Sequence, residues 1–164
     1  MKPSALVRTR RELSLSGAAL TELLTAVLAK GKAFRFRARG WSMSPFVRDG
    51  DVITVSPLRG RRPETGAIVA FVHPGTGRVA VHRIVDAGPG GYLVRGDNTD
   101  SADGILPAER ILGVVTEIVR HGRKVPAARG RAAAFVAWLS RTGGLVRGLG
   151  LMRALRRRSG KEAR

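Results

Sequence analysis

From residue 33 to residue 119 the chain is a succession of short apolar segments, each ended within a few residues by Gly, Pro or Asp. The clearest is 33–39, Ala-Phe-Arg-Phe-Arg-Ala-Arg, in which apolar and basic side chains alternate with a period of two, as in a half-buried strand. Further strand candidates are 51–55, 67–72, 78–85, 91–95 and 111–119. Segments so short and so regularly punctuated leave little room for long helices. The pattern predicts a mainly β body.

Different textures flank that body. Over 14–31, Leu20, Leu23, Leu24, Val27 and Leu28 recur at spacings of three and four, with Ser16 placed as a cap and Gly31 as a stop. This predicts an amphipathic helix whose polar side carries Thr21, Glu22 and Thr25. After Arg120 the texture turns helical again, with 126–130 as a linker and apolar stretches at 132–139 and 145–155. Arg141, Arg147 and Arg153 interrupt the tail, and Arg156, Arg157 and Arg158 follow. Gly143, Gly144, Gly148 and Gly150 weaken a helix there, at about 1 kcal/mol each relative to Ala. The expected division is an N-terminal helical segment (1–32), a β domain (33–120) and a basic tail (121–164).

Charge follows the same division. The formal net charge is +18, which on its own suggests an anionic partner. Residues 38–119 nevertheless hold nine basic and nine acidic side chains, while 1–37 carry a net +6 and 120–164 a net +12. A nucleic-acid binder would spread positive charge over its folded face. A neutral body between cationic ends points instead to chemistry in the centre and tethering at the ends. A cationic amphipathic tail with a Trp fits the interfacial plane of an anionic membrane, and a self-packed tail or contact with another macromolecule stays open beside it. There is no Cys, which excludes disulfides and thiolate chemistry, and His73, His82 and His121 make no metal-ligand spacing. The first 13 residues do not read as a secretory signal. The longest purely apolar run, 132–139, is far below the roughly 20 residues of a membrane-spanning helix. The expected location is cytoplasmic or peripheral to a membrane.

Within the neutral body three groups stand out: Gly40-Trp41-Ser42-Met43-Ser44-Pro45 with Asp49-Gly50-Asp51, then Val81-His82-Arg83-Ile84, then Gly96-Asp97-Asn98 with Asp100 and Asp103. A Ser, a His and an Asp are the parts of a nucleophile, a base and an orienting acid, although any chain of this length holds many such sets. Their order resembles the type I signal peptidases and the related self-cleaving repressor peptidases. There a small-residue turn delivers Ser-Met-x-Pro, a Gly-Asp follows, and a strand carries the base directly before an Arg. Ser42-Met43-Ser44-Pro45, Gly50-Asp51, His82-Arg83 and Gly96-Asp97-Asn98 fill these places, and Ile111-Leu112-Gly113-Val114-Val115 resembles the closing strand. The resemblance covers about residues 37–120 and implies a mainly β signal-peptidase and repressor-peptidase-like fold.

It also implies roles. Ser42, directly before Met43, is the expected nucleophile in preference to Ser44, and Met43 and Pro45 are expected against the substrate. Many relatives use a Ser-Lys dyad, but Lys2, Lys30, Lys32, Lys124 and Lys161 all lie outside the catalytic motifs. His82 stands in the base position, and an imidazole, with an ordinary pKa of about 6.5, works as a base at neutral pH without deep burial. Asp103 is the implied acid, with Asp97 and Asp100 as alternatives, while His73 reads as a solvated turn residue. Where signal peptidases have a hydroxyl for the oxyanion two positions before the nucleophile, this chain has Gly40, which leaves the task to backbone amides. The transmembrane anchor of signal peptidases has no counterpart in the sequence read here. The expected function is serine endopeptidase, acting on a polypeptide bound as an added strand with small residues near the cut, with no cofactor or metal. A self-cleaving regulator and a non-catalytic module for membrane or nucleic-acid binding are the alternatives.

Overall fold

The computed structural model describes residues 16–126 and 135–138. An N-terminal helix, α1 (Gly17–Ala29), precedes strands β1 (Phe34–Arg37), β2 (Val52–Ser56), β3 (Ile68–Val72), β4 (Val79–Gly88), β5 (Gly91–Arg95) and β6 (Ala102–Leu106). A short 3-10 turn (Ala108–Arg110) leads into β7 (Ile111–Arg120) and β8 (Arg123–Val125). The strands form one antiparallel sheet in the order β1-β2-β7-β3-β4-β5-β6, with β8 paired to β7. The mainly β expectation is met.

Strand β3 lies at the centre of the sheet, between two cores. Its residues Ile68, Val69, Ala70 and Phe71 are all buried, so both faces are covered, and the unbroken apolar run is what such a strand requires. Ile68 and Ala70 join a core with Leu24, Leu28, Met43, Val47, Ile53, Val55, Val115 and Ile118. Val69 and Phe71 join a second core with Ile84, Tyr92, Val94, Leu106 and Ile111. Helix α1 supplies Leu24 and Leu28 to the first core and starts at Ser16, whose hydroxyl accepts the Ala19 amide at 3.3 Å. Thr21, expected on the solvated side, instead accepts the Val79 amide at 3.0 Å and fastens the helix to β4.

Two strands depart from the expectation. The Asp- and Gly-rich run that contains β6 lacks period-two alternation, and Gly104 has φ +97°, yet it pairs with β5 along its length. The boundary expected at 120 is crossed by the β7–β8 hairpin. His121 and Gly122, at φ 49° and 77°, form its two-residue turn, and Lys124 meets Glu117 at 2.6 Å. Of the expected tail helices, only 135–138 falls within the described residues, and it is helical, with Phe135 and Trp138 exposed and stacked at 6.0 Å. The remainder lies outside them. Among the described residues no helix is long and apolar enough to cross a membrane.

Candidate active site

Ser42 sits on the turn that follows β1. Gly40 opens it at φ +95°, a conformation natural to glycine, and its amide donates to Asp49 Oδ1 at 2.8 Å. Within the turn the Ser44 amide donates to the Trp41 carbonyl at 3.1 Å, and the Val47 amide to the Met43 carbonyl at 3.0 Å. Trp41 is exposed, whereas Met43 is 4% exposed and packs in the first core. Met43, expected against the substrate, has most of its side chain in that core, where it anchors the turn and keeps only a small part of its surface for contact with a peptide. Pro45 is half-buried, with its carbonyl 3.4 Å from Arg120 Nη2.

The turn leans on a second one. The Asn98 amide donates to the Ser42 carbonyl at 2.7 Å, and Asn98 Nδ2 donates to the Trp41 carbonyl at 3.2 Å. Gly96 makes the approach possible, because a Cβ there would lie 2.8 Å from the Ser42 carbonyl oxygen. Below the turn, Asp51 accepts Arg120 Nε at 2.9 Å on one oxygen, and Arg120 Nη2 at 2.7 Å and the Arg48 amide at 2.8 Å on the other. Burial pushes the Asp51 carboxyl up, but the Arg120 and Arg48 hydrogen bonds and the two guanidinium charges outweigh it and hold the group below its ordinary value.

His82 reaches this turn from the middle of β4. Its Nε2 lies 2.9 Å from Ser42 Oγ, and its Nδ1 lies 2.5 Å from Asp103 Oδ2 on β6. Because an ionised carboxylate can only accept, the network assigns the ring hydrogen to Nδ1 and leaves Nε2 free to accept the Ser42 hydroxyl. His82 is 9% exposed, its ring 5.8 Å from that of Phe71. The hydroxyl meeting the imidazole belongs to Ser42, and the facing acid is Asp103. Asp97, the nearer alternative in sequence, is committed to Arg83, with two contacts of 2.8 Å. Asp100 is exposed, and its carbonyl accepts Arg95 Nη2 at 3.2 Å.

One residue near the site escaped the sequence reading. His73, expected in solvent, is half-buried, with Nε2 3.6 Å from Asp103 Oδ1. The signal was in the hairpin register: His82 pairs with Val69, and Val69, Phe71 and His73 share one face of β3 and its extension. His121 lies in the β7–β8 turn.

A search among curated proteins finds none that matches the chain. A family model does match, covering residues 11–116 and so every element from α1 into β7 as well as the Ser42, His82 and Asp103 cluster. The chain belongs to the Peptidase S24-like family.

Proposed function

We propose that this protein is a serine endopeptidase of signal-peptidase-like type that cleaves a precursor polypeptide with Ser42 as nucleophile, His82 as base and Asp103 as orienting acid. The observation that carries the reading is the continuous contact from Ser42 Oγ to His82 Nε2, 2.9 Å, and from His82 Nδ1 to Asp103, 2.5 Å. The Ser42 hydroxyl gives its proton to Nε2 as Oγ bonds to the scissile carbonyl carbon. The oxyanion falls to backbone amides of the turn, that of Ser42 foremost. Protonated His82 then donates to the leaving amine as the C–N bond breaks. A water that loses its proton to His82 hydrolyses the ester, releasing the acid and restoring Ser42. The substrate is an extended peptide with small residues at the cut, and Pro45 stays a candidate for contact with it.

Purified protein incubated with a fluorophosphonate and, separately, with a mixed peptide library tests this. Label on Ser42 and new peptide termini, both absent in Ser42→Ala and His82→Ala, are expected. Equal cleavage by the wild type and both variants overturns the reading. The S24-like match favours a second reading, self-cleavage. Intact mass decides it: a chain that shortens with time only when Ser42 is present acts on itself.

The basic C-terminal segment is further proposed to bind an anionic membrane surface. The support is the exposed Phe135–Trp138 pair in a region of net +12. Co-sedimentation with phosphatidylserine vesicles, but not with phosphatidylcholine vesicles, and its loss in high salt are the expected results. Indifference to lipid charge overturns it.

A further inference from the structure

We propose that His73 is a positioning residue of the site, an imidazole that holds one oxygen of Asp103 so that the other stays aimed at His82. The inference rests on the reading of Ser42, His82 and Asp103 given above, and extends it to a residue that lies outside its three reacting groups.

Asp103 is poorly fixed by its own strand. β6 is the edge of the sheet, its register with β5 slips between Val94 and Arg95, Gly104 follows at φ +97°, and Ile105 beyond it is exposed. A carboxylate on such an edge can rotate unless something outside the strand holds it. The His82 contact engages only Oδ2. Oδ1 faces His73 Nε2 at 3.6 Å, too long for a direct hydrogen bond and of the length at which electrostatic attraction or a bridging water acts.

The hydrogen on His73 is placed by its other nitrogen. Nδ1 lies 3.1 Å from the Gly75 amide and accepts from it, so the neutral ring carries its hydrogen on Nε2, toward Asp103. The ring is held in that attitude. The His73 amide donates to the Arg78 carbonyl at 2.9 Å, the Gly77 amide donates to the His73 carbonyl at 2.9 Å, and Phe71 stands 6.3 Å from the ring. Gly75 leaves room for this, since a Cβ there would come within 3.3 Å of His73 Cε1. Phe71 thus packs near both imidazoles, and both face the same carboxylate. A partly exposed polar contact of this length adds little to stability, so the consequence of this arrangement is orientation.

Two substitutions separate the roles. His73→Gln keeps a donor near the position of Nε2, and His73→Phe fills the space without one. Imidazole nitrogen shifts of His82, read by NMR on the full chain, should show hydrogen on Nδ1 and a bare Nε2 in the wild type. In His73→Phe they should move toward a mixture of tautomers, and fluorophosphonate labelling of Ser42 should slow by roughly tenfold, less than the ~10²-fold that a 1 Å misplacement can cost. His73→Gln should restore both, to within about twofold of the wild type. Unchanged His82 shifts in His73→Phe, or a Gln variant indistinguishable from Phe, overturns the inference. If the wild type fails to label, the serine-hydrolase reading falls, while the His82 shifts still decide the part played by His73.

Discussion

Arg83 grips Asp97 with both arms: Nε meets Oδ1 and Nη2 meets Oδ2, each at 2.8 Å, and neither residue is more than 1% exposed. The third guanidinium nitrogen donates to the Gly66 carbonyl at 2.8 Å, and the group lies 5.0 Å from the centre of the Phe46 ring. Arg83 immediately follows His82, and Asp97 immediately precedes the Asn98 that supports Ser42. The pair therefore ties the strand carrying the imidazole to the turn that positions the hydroxyl.

Removing one member should be costly. Asp97→Ala leaves a buried guanidinium without its counter-charge, and a loss of about 3–5 kcal/mol is expected in urea unfolding. Arg83→Met combined with Asp97→Leu should recover part of that loss, because the apolar pair leaves no uncompensated charge. A single Ala variant as stable as the wild type would show that the pair does not hold the fold.

Asp103→Asn tests orientation with little change in shape. The amide can offer its NH2 to His82 Nδ1, which then becomes the acceptor and places the hydrogen on Nε2, facing Ser42. Labelling of Ser42 and peptide cleavage should fall by about 10²- to 10⁴-fold, with the unfolding midpoint nearly unchanged. A rate within a factor of about two of the wild type would remove Asp103 from the mechanism.

Much of this is legible in the sequence alone, for identifiable reasons. Six of the eight strands announce themselves because each covers one or both faces, β1 only in part, and burial writes an apolar pattern into the sequence. β6 does not, since four of its five residues are not buried, and only pairing with β5 makes it a strand. β8 is three residues long and basic, so it resembles the charged segment after it. Ser42 and His82, which the structure brings to 2.9 Å, stand out because their motifs are local. Gly50-Asp51 stands out as well, but the partner of Asp51 does not, because Arg120 is 69 positions away and nothing in its neighbourhood names the carboxylate. The packing of Met43 in the core is not legible, since a Met beside a serine turn looks the same whether it faces a peptide or a core.

Two glycines should separate support of the site from support of the sheet. A Cβ at Gly96 would press on the Ser42 carbonyl oxygen and on Thr99 Cγ2, both at 2.8 Å. A Cβ at Gly113 would press on the Ser56 carbonyl oxygen at 2.5 Å, where β2 pairs with β7. Each Ala variant should lose about 1–3 kcal/mol on unfolding, by forcing backbone shifts. Gly96→Ala alone should also slow Ser42 labelling in protein that is still folded. Equal labelling rates in the two folded variants would mean that the Asn98 turn does not set the position of Ser42.

The Asp51 carboxyl gives the fold an acid-dependent component whose sign can be worked out. Its value in the folded protein lies below the ordinary one, because the hydrogen bonds from Arg120 and Arg48 and their charges overcome the opposing effect of burial. Between the two values the unfolded chain binds the proton and the folded chain does not, so stability rises with pH across that window. The contribution is fully present above the ordinary carboxylate value of about 4, and is lost as pH falls through the folded value. Asp51→Asn keeps an oxygen for the Arg48 amide but abolishes the titration. It should be less stable than the wild type at neutral pH, and the gap should narrow as pH is lowered from about 5 to about 2, measured as urea midpoints across that range. Since Arg120 Nη2 also donates to the Phe46 carbonyl at 3.1 Å, loosening this pair should reach the Ser42 turn and slow its labelling at neutral pH. A gap that stays constant down to the lowest pH would show that Asp51 does not carry the acid sensitivity.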